Sequence, residues 1–241
     1  MNKNNFVGLV FAGALLSIGI AASGFFISQT IYKSKVGINI AEAKGLAERR
    51  VTSDRANWEI RFLVSGGADT NIANLYKRYE ASQQTIVKAL KKVGFADKEI
   101  TLNAAKYRGE NFRNDANIIV DKYFSLSGGI EIDTDKVALV GSAQTEISKL
   151  IAEGISLDSR PPSYKFTKLN EIKPEMLKEA TRNARIAAMT FAENVGAKVG
   201  GIRSARQGGF NIVDAGAEYG DRNKIEKDVR VVTTVSFYIE N

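Results

Sequence analysis

The 241 residues are 44% hydrophobic and 25% charged with three prolines, the make-up of a folded chain long enough for one large or two small packed units. Histidine and cysteine are absent, which excludes Ser-His-Asp and Cys-His nucleophiles, His- or thiolate-ligated zinc, His-ligated haem, thiol redox chemistry and disulfides. Of the 34 basic residues, three lie in the first 35 positions, where there is no acid. The net +7 therefore falls to +4 over the rest, a mixed-sign spread that predicts no nucleic-acid partner.

From Asn4 to Tyr32 no residue is charged, and residues 6–31 read FVGLVFAGALLSIGIAASGFFISQTI. As a helix this run is long enough to cross a hydrocarbon layer of about 30 Å. Lys3, the apolar stretch 6–20 and the small residues Ala21-Ala22-Ser23 also fit a cleavable signal peptide. The apolar run continues through Gly24, Phe25, Phe26 and Ile27, however, which a cleaved peptide does not need. The expectation is an uncleaved signal anchor and tether over residues 1–35, with a cleaved, soluble form as the alternative. Lys33 and Lys35 against Lys3 do not fix its orientation. Gly8, Ala12, Gly19 and Ser23 recur at near-helical spacing and form a candidate self-association face, although small residues are common in such segments.

Past a polar tether at 33–37, residues 38–48 and 56–64 read as strands, the second placing Trp58, Ile60, Phe62 and Val64 on one face. Asp69-Thr70-Asn71 offers helix caps. Ile72, Leu75, Tyr79, Ile86, Leu90 and Val93 then mark an amphipathic helix ending at Gly94, with Lys77, Arg78, Lys88, Lys91 and Lys92 on a solvated outer face. Residues 99–108 and 118–132 predict a hairpin around a polar turn at 109–117. Asp133-Thr134-Asp135 reads as the start of a second helix, with Val137, Val140, Ile147, Leu150 and Ile151 inward and Gly154 beyond its end.

Arg160-Pro161-Pro162 predicts a rigid turn, 164–169 a strand, and Pro174 the first turn of a third helix. Its apolar stripe is Leu177, Ala180, Ala184, Ala187, Ala188, Phe191 and Val195, closed by Gly196, and the alanines imply close approach to a neighbouring element. A strand at 201–210, a solvated polar loop at 211–228 and a terminal strand at 229–239 complete the chain. Strand, helix and hairpin thus occur twice. The predicted fold is α+β: two halves, about 36–132 and 155–241, joined by a helix, with mixed or antiparallel sheets covered by helices, preceded by one N-terminal transmembrane helix.

The glycine pairs match neither dinucleotide nor phosphate loops, and no Ser-x-x-Lys occurs. Asp54, Glu59, Asp214, Glu218 and Asp221 are nominal carboxylates for glycan chemistry, with Tyr107, Phe112, Phe210 and Tyr219 near acids in the sequence, but no motif constrains them. The sequence therefore predicts no catalytic residue, no cofactor and no metal. Binding of anionic lipid or polymer by the basic helix face is a further alternative.

Residues 44–58, KGLAERRVTSDRANW, resemble the opening of SIMPL-domain proteins, with an Asp at the turn between two strands. Lys165-Phe166-Thr167-Lys168-Leu169-Asn170, Lys173-Pro174-Glu175-Met176 and the alanine-spaced stretch 179–196 before Gly200-Gly201 are similar to that family's C-terminal part. The likeness covers about 38–241. Ser53 stands before Asp54 where proline is commoner, which points to a branch of the family. The resemblance implies a bacterial envelope protein facing the periplasm, exported or tethered by its N-terminus, linked to stress tolerance and to oligomeric assembly, without an agreed catalytic residue. The expected partners are further copies of the chain, the membrane and an unidentified envelope component.

Overall fold

The computed structural model describes residues 3–35 and 39–240, so part of the predicted tether and the first residue of the first predicted strand lie outside the described residues. A single helix, α1 (Lys3–Lys35), contains the whole apolar run. Its span Leu9–Tyr32 has a mean hydropathy of 2.1 and none of it is buried. The α+β expectation holds for the remainder: the described residues form three more α-helices, one short 3-10 helix (Asp97–Glu99) and ten strands in two sheets, antiparallel wherever the register is described.

The chain divides into two compact units, and the long strands β1 (Ile40–Thr52) and β10 (Glu226–Glu240) contribute to both. The first unit comprises Met1–Ala47, Glu175–Gly209 and Val231–Asn241. Its sheet runs β1, β10, β8 (Lys198–Gln207), and α4 (Leu169–Asn194) lies on one face. Alternation along β1 points Ala41, Ala43, Gly45 and Ala47 inward, all small residues. The helix answers with buried Met176, Ala180, Ala184, Ala188 and Ala192. A Cβ on Gly45 would lie 1.9 Å from the Ala180 carbonyl oxygen and 2.3 Å from the Ala184 nitrogen, so strand and helix touch backbone to backbone. Val235 and Phe237 of β10 complete this core with Ala184 and Ala188.

The second unit comprises Glu48–Pro174 and Phe210–Arg230. Its sheet runs β3 (Ile100–Leu102), β5 (Ile119–Thr134), β2 (Arg55–Gly66), β6 (Ser156–Ser159), with β4 (Lys106–Arg113) also on β5 and β7 (Ser163–Lys165) on β2. Trp58, Ile60, Phe62, Ile130 and Ile132 face α2 (Ile72–Val93) and α3 (Leu139–Lys149), which contribute Leu75, Tyr79, Ile86, Leu90, Val140 and Ile147 to one core. Burial of each such large side chain contributes roughly 1.5–3 kcal/mol. Asn71 caps α2 through Ala73 N at 2.8 Å, and Gly94 ends it at φ 121°, as the sequence predicts.

Several predicted elements change. The 109–117 turn is shorter than expected, because β4 continues to Arg113. Asp133 belongs to β5 and pairs with Arg55 at 2.6 Å, so it caps no helix; α3 begins only at Leu139, and Ile151 past its end is exposed. In the third helix Pro174 lies inside, because the helix starts at Leu169, and the predicted strand 164–169 shrinks to β7. Ala187, Phe191 and Val195, assigned to its buried stripe, are exposed, since Met176 and the alanines at every fourth position from Ala180 to Ala192 hold the sheet side. The strand expected at 201–210 runs from Lys198 to Gln207, and the 211–228 loop contains β9 (Asn211–Asp214), paired with the start of β10.

Candidate functional site

The most exposed built feature of the second unit is the β4–β5 hairpin. Strand β2 follows β5 only as far as the Gly66↔Phe124 pair, whereas β4 stays paired from Lys106↔Ser127 to Arg113↔Ile119. Beyond Phe124 the sheet therefore thins to a two-stranded ribbon, and residues 106–122 are exposed on both faces. An isolated hairpin is marginally stable in water, yet this one has an ordered tip. Asn114 Oδ1 accepts from Ala116 N at 3.1 Å and Ile118 N at 3.0 Å, Asn117 adopts φ 61°, and Arg113 Nη1 donates to the Asn117 carbonyl at 2.9 Å. At its base the Tyr107 and Phe124 rings stack at 6.2 Å. Phe112, Ile118 and Val120 are 49%, 61% and 60% exposed, so the arm displays an apolar surface that its own unit does not cover. Two-sided exposure removes the alternation from which strands are read, which is why the sequence presents 109–113 as a turn. The available signal was the isolated β-forming residues Tyr107, Phe112, Ile118, Ile119 and Val120.

A concavity lies beside the 215–225 loop. Asp214 is buried and accepts from Lys227 Nζ at 2.5 Å, Asn223 N at 2.9 Å and Lys224 N at 3.1 Å; Lys227, wholly buried, also donates to the Asp221 carbonyl at 2.7 Å. These bonds pin the loop to β10, while Gly216 and residues 218–224 stay exposed to solvent as the sequence predicts. A cavity of about 720 Å³ next to it is lined by Arg50, Arg230, Asn211, Glu218 and the 86% exposed Tyr219 among others. Its charges are matched: Arg50 makes a two-point ion pair with Asp228 at 2.8 and 3.1 Å, and Arg230 lies 3.4 Å from Glu48.

The five nominal catalytic carboxylates are not gathered into one site. Asp54 accepts from the Thr167 amide and hydroxyl at 2.6 and 2.5 Å, locking the β1–β2 turn to the segment before α4. Glu59 sits 3.7 Å from both Arg61 and Arg160. Asp214 is the buried partner of Lys227, Glu218 lines the cavity, and the Asp221 carboxylate is 3.9 Å from Arg222. Burial opposes ionisation of Asp54 and Asp214, but the hydrogen bonds from Thr167 and from Lys227 outweigh it and hold both pKa values below the ordinary carboxylate range. Every described carboxylate whose pKa is displaced is displaced downward, opposite to what a general acid at neutral pH requires. Among the described residues no three acids group so as to hold a metal ion. The aromatic candidates are dispersed as well: Tyr107 and Phe112 are on the arm, Tyr219 on the pinned loop, and Phe210 lies 5.7 Å under the Lys173 ammonium.

On α2, Lys91 pairs with Asp97 at 2.5 Å, Lys92 with Glu146 at 3.4 Å, and Arg78 donates to the Ser65 carbonyl at 3.2 Å. The outer face with Lys77 and Lys88 is thus partly neutralised. On α1, the helix backbone puts Gly8, Ala12, Gly19 and Ser23 on one side; Gly8 belongs to the helix, but its surroundings lie outside the described residues. The Ser23 hydroxyl donates to the Gly19 carbonyl at 2.8 Å, and a shallow groove runs past Gly19, Ser23 and Gly24.

An apolar leading helix, helix-covered antiparallel sheets and a protruding hairpin define an α+β domain carried behind a hydrophobic segment. The SIMPL family model, described as a protein of unknown function (DUF541), matches residues 42–237, and the chain belongs to that family. No match was found among curated proteins.

Proposed function

We propose that the chain is a non-enzymatic, membrane-anchored protein whose domain faces the periplasm and works by self-association, the arm of one copy meeting another copy, in maintaining the cell envelope. The observation that carries this reading is the hairpin, whose Phe112, Ile118 and Val120 remain exposed on an ordered two-stranded ribbon. Strand β4 pairs with β5 on one edge, and no described strand pairs with its other edge, a template for strand addition. The arm carries both signs of charge, Lys106, Arg108 and Arg113 against Glu110, Asp115 and Asp121, so a second copy can offer complementary charge as well as apolar surface. The continuous helix across Ala21-Ala22-Ser23 supports an anchor, and an envelope setting is what the resemblance of residues 44–58 to SIMPL-domain proteins implies.

Because the chain has no cysteine, single cysteines report contacts cleanly. A Val120→Cys or Phe112→Cys protein in native membranes, mildly oxidised, is expected to run as a disulfide-linked dimer, which demands Cα atoms within about 7 Å. Lys88→Cys on α2 serves as the control and is expected to stay monomeric. Arm cysteines that never cross-link while the control does would overturn the reading.

A further inference from the structure

One end of the first unit combines three features. The first strand begins there at Ile40, with the Asn39 carbonyl accepting from Ile239 N at 2.9 Å. Ile239 pairs with Val199 and Glu240 with Lys198, so β8 begins at the same end. The chain reaches β8 directly from the C-terminus of α4, through Val195, Gly196 and Ala197, with Gly196 turning at φ 74°. The start of β1, the end of β10, the start of β8 and the last turn of α4 therefore share one edge.

That edge exposes large apolar side chains beside the charged Glu193, Lys198 and Glu240. Val195 is 66% exposed, Phe191 one turn earlier 63%, and Ile40 46%. The sequence assigns Phe191 and Val195 to the helix's inner stripe, and the alanine contact displaces them outward. The same edge is tied closely to α1: four residue steps separate Lys35, the last residue of α1, from Asn39, and even a fully extended chain spans only about 14 Å over that length.

We propose that this edge rests in the headgroup region of the bilayer that α1 crosses, with Phe191, Val195 and Ile40 entering the lipid interface and Lys198 beside them meeting lipid phosphate. The inference rests on the membrane-anchor reading. A spanning helix ends at the interface, so the tether holds the edge within reach of lipid. Exposed apolar side chains there lose water-facing surface on contact, as on any interfacial amphipathic helix end. The occupant is the lipid surface in which α1 itself ends, and a second copy or another protein must compete with a surface that is always present.

The test uses the full chain in vesicles of mixed phosphatidylethanolamine and phosphatidylglycerol that carry bromine on the acyl chain, near either the glycerol or the terminal methyl. Trp58, the single native tryptophan and 1% exposed, supplies a buried background. Leu16→Trp in α1 reports the anchor and is expected to lose most emission with the deep bromines. Val195→Trp, with Phe191→Trp as the second reporter, is expected to lose most with the shallow ones. Quenching of Leu16→Trp with neither Val195→Trp nor Phe191→Trp affected would leave the anchor standing and overturn the docking, the edge then standing clear of lipid or being covered by protein. Absence of quenching at all three positions would overturn the anchor reading and the docking together.

Discussion

Glu99 shows how much one buried group can set. It accepts from Ala96 N at 2.7 Å, Thr134 Oγ1 at 2.5 Å and Lys136 Nζ at 2.8 Å, tying the turn after α2 to the end of β5. Burial opposes its ionisation, but these donors outweigh it and hold the pKa down to about 2. A folded pKa below the unfolded value means stabilisation that is present above the ordinary carboxylate range and is lost as pH falls through it toward 2. A Glu99→Gln protein should therefore melt lower than the parent at neutral pH, and the gap should close progressively in thermal melts run from pH 5 down to pH 2. Lys227→Ala leaves Asp214 charged and buried without its cation, at a cost of about 3–5 kcal/mol. The same change should open residues 215–225 to limited proteolysis, while the parent resists cleavage there. Gly45→Ala forces a methyl against the backbone of α4, which cannot yield as a flexible side chain would. It should lower unfolding stability by about 1–3 kcal/mol in urea titrations followed by circular dichroism.

Among the elements, those with one buried face were legible in the sequence. The 3.6-residue period and caps placed α2, and the alternation from Trp58 to Val64 placed β2, because one side of each meets a core. Elements decided by tertiary contact were less so. Nothing local shows that α4 starts before Pro174, or that small residues on β1 draw its alanines inward and turn Phe191 and Val195 out. The Asp214–Lys227 pair was likewise unreadable, since its partners are joined by a loop held by that pair and by hydrogen bonds to residues distant in sequence, such as Tyr164 N to the Arg222 carbonyl. The arm is the largest such case: with both faces exposed it has no period, so its importance had to come from the sheet that ends beside it. Replacing residues 110–121 with a short turn should leave the melting temperature of the remaining domain nearly unchanged, as the ribbon adds no side chain to the core. The same replacement should abolish cross-linking between copies at sites flanking the arm, measured in membranes.

At the scale of the molecule, a hydrophobic helix, a unit of small residues packed at backbone distance and a unit with a large aliphatic core and a protruding ribbon fit a protein held at a surface and assembled through its arms. On the proposed anchor reading, membrane confinement favours such assembly, because anchored copies would meet at high local concentration. The central claim is that the arm mediates self-association, and it is tested most directly by the mass of the detergent-solubilised full chain, by light scattering after gel filtration, beside a Phe112→Asp, Val120→Asp protein. The account predicts a defined oligomer for the parent and a fall toward the single-chain mass for the variant, with matching circular dichroism spectra. A parent that is already a monomer, or an oligomer whose mass the two charges leave unchanged, would contradict it.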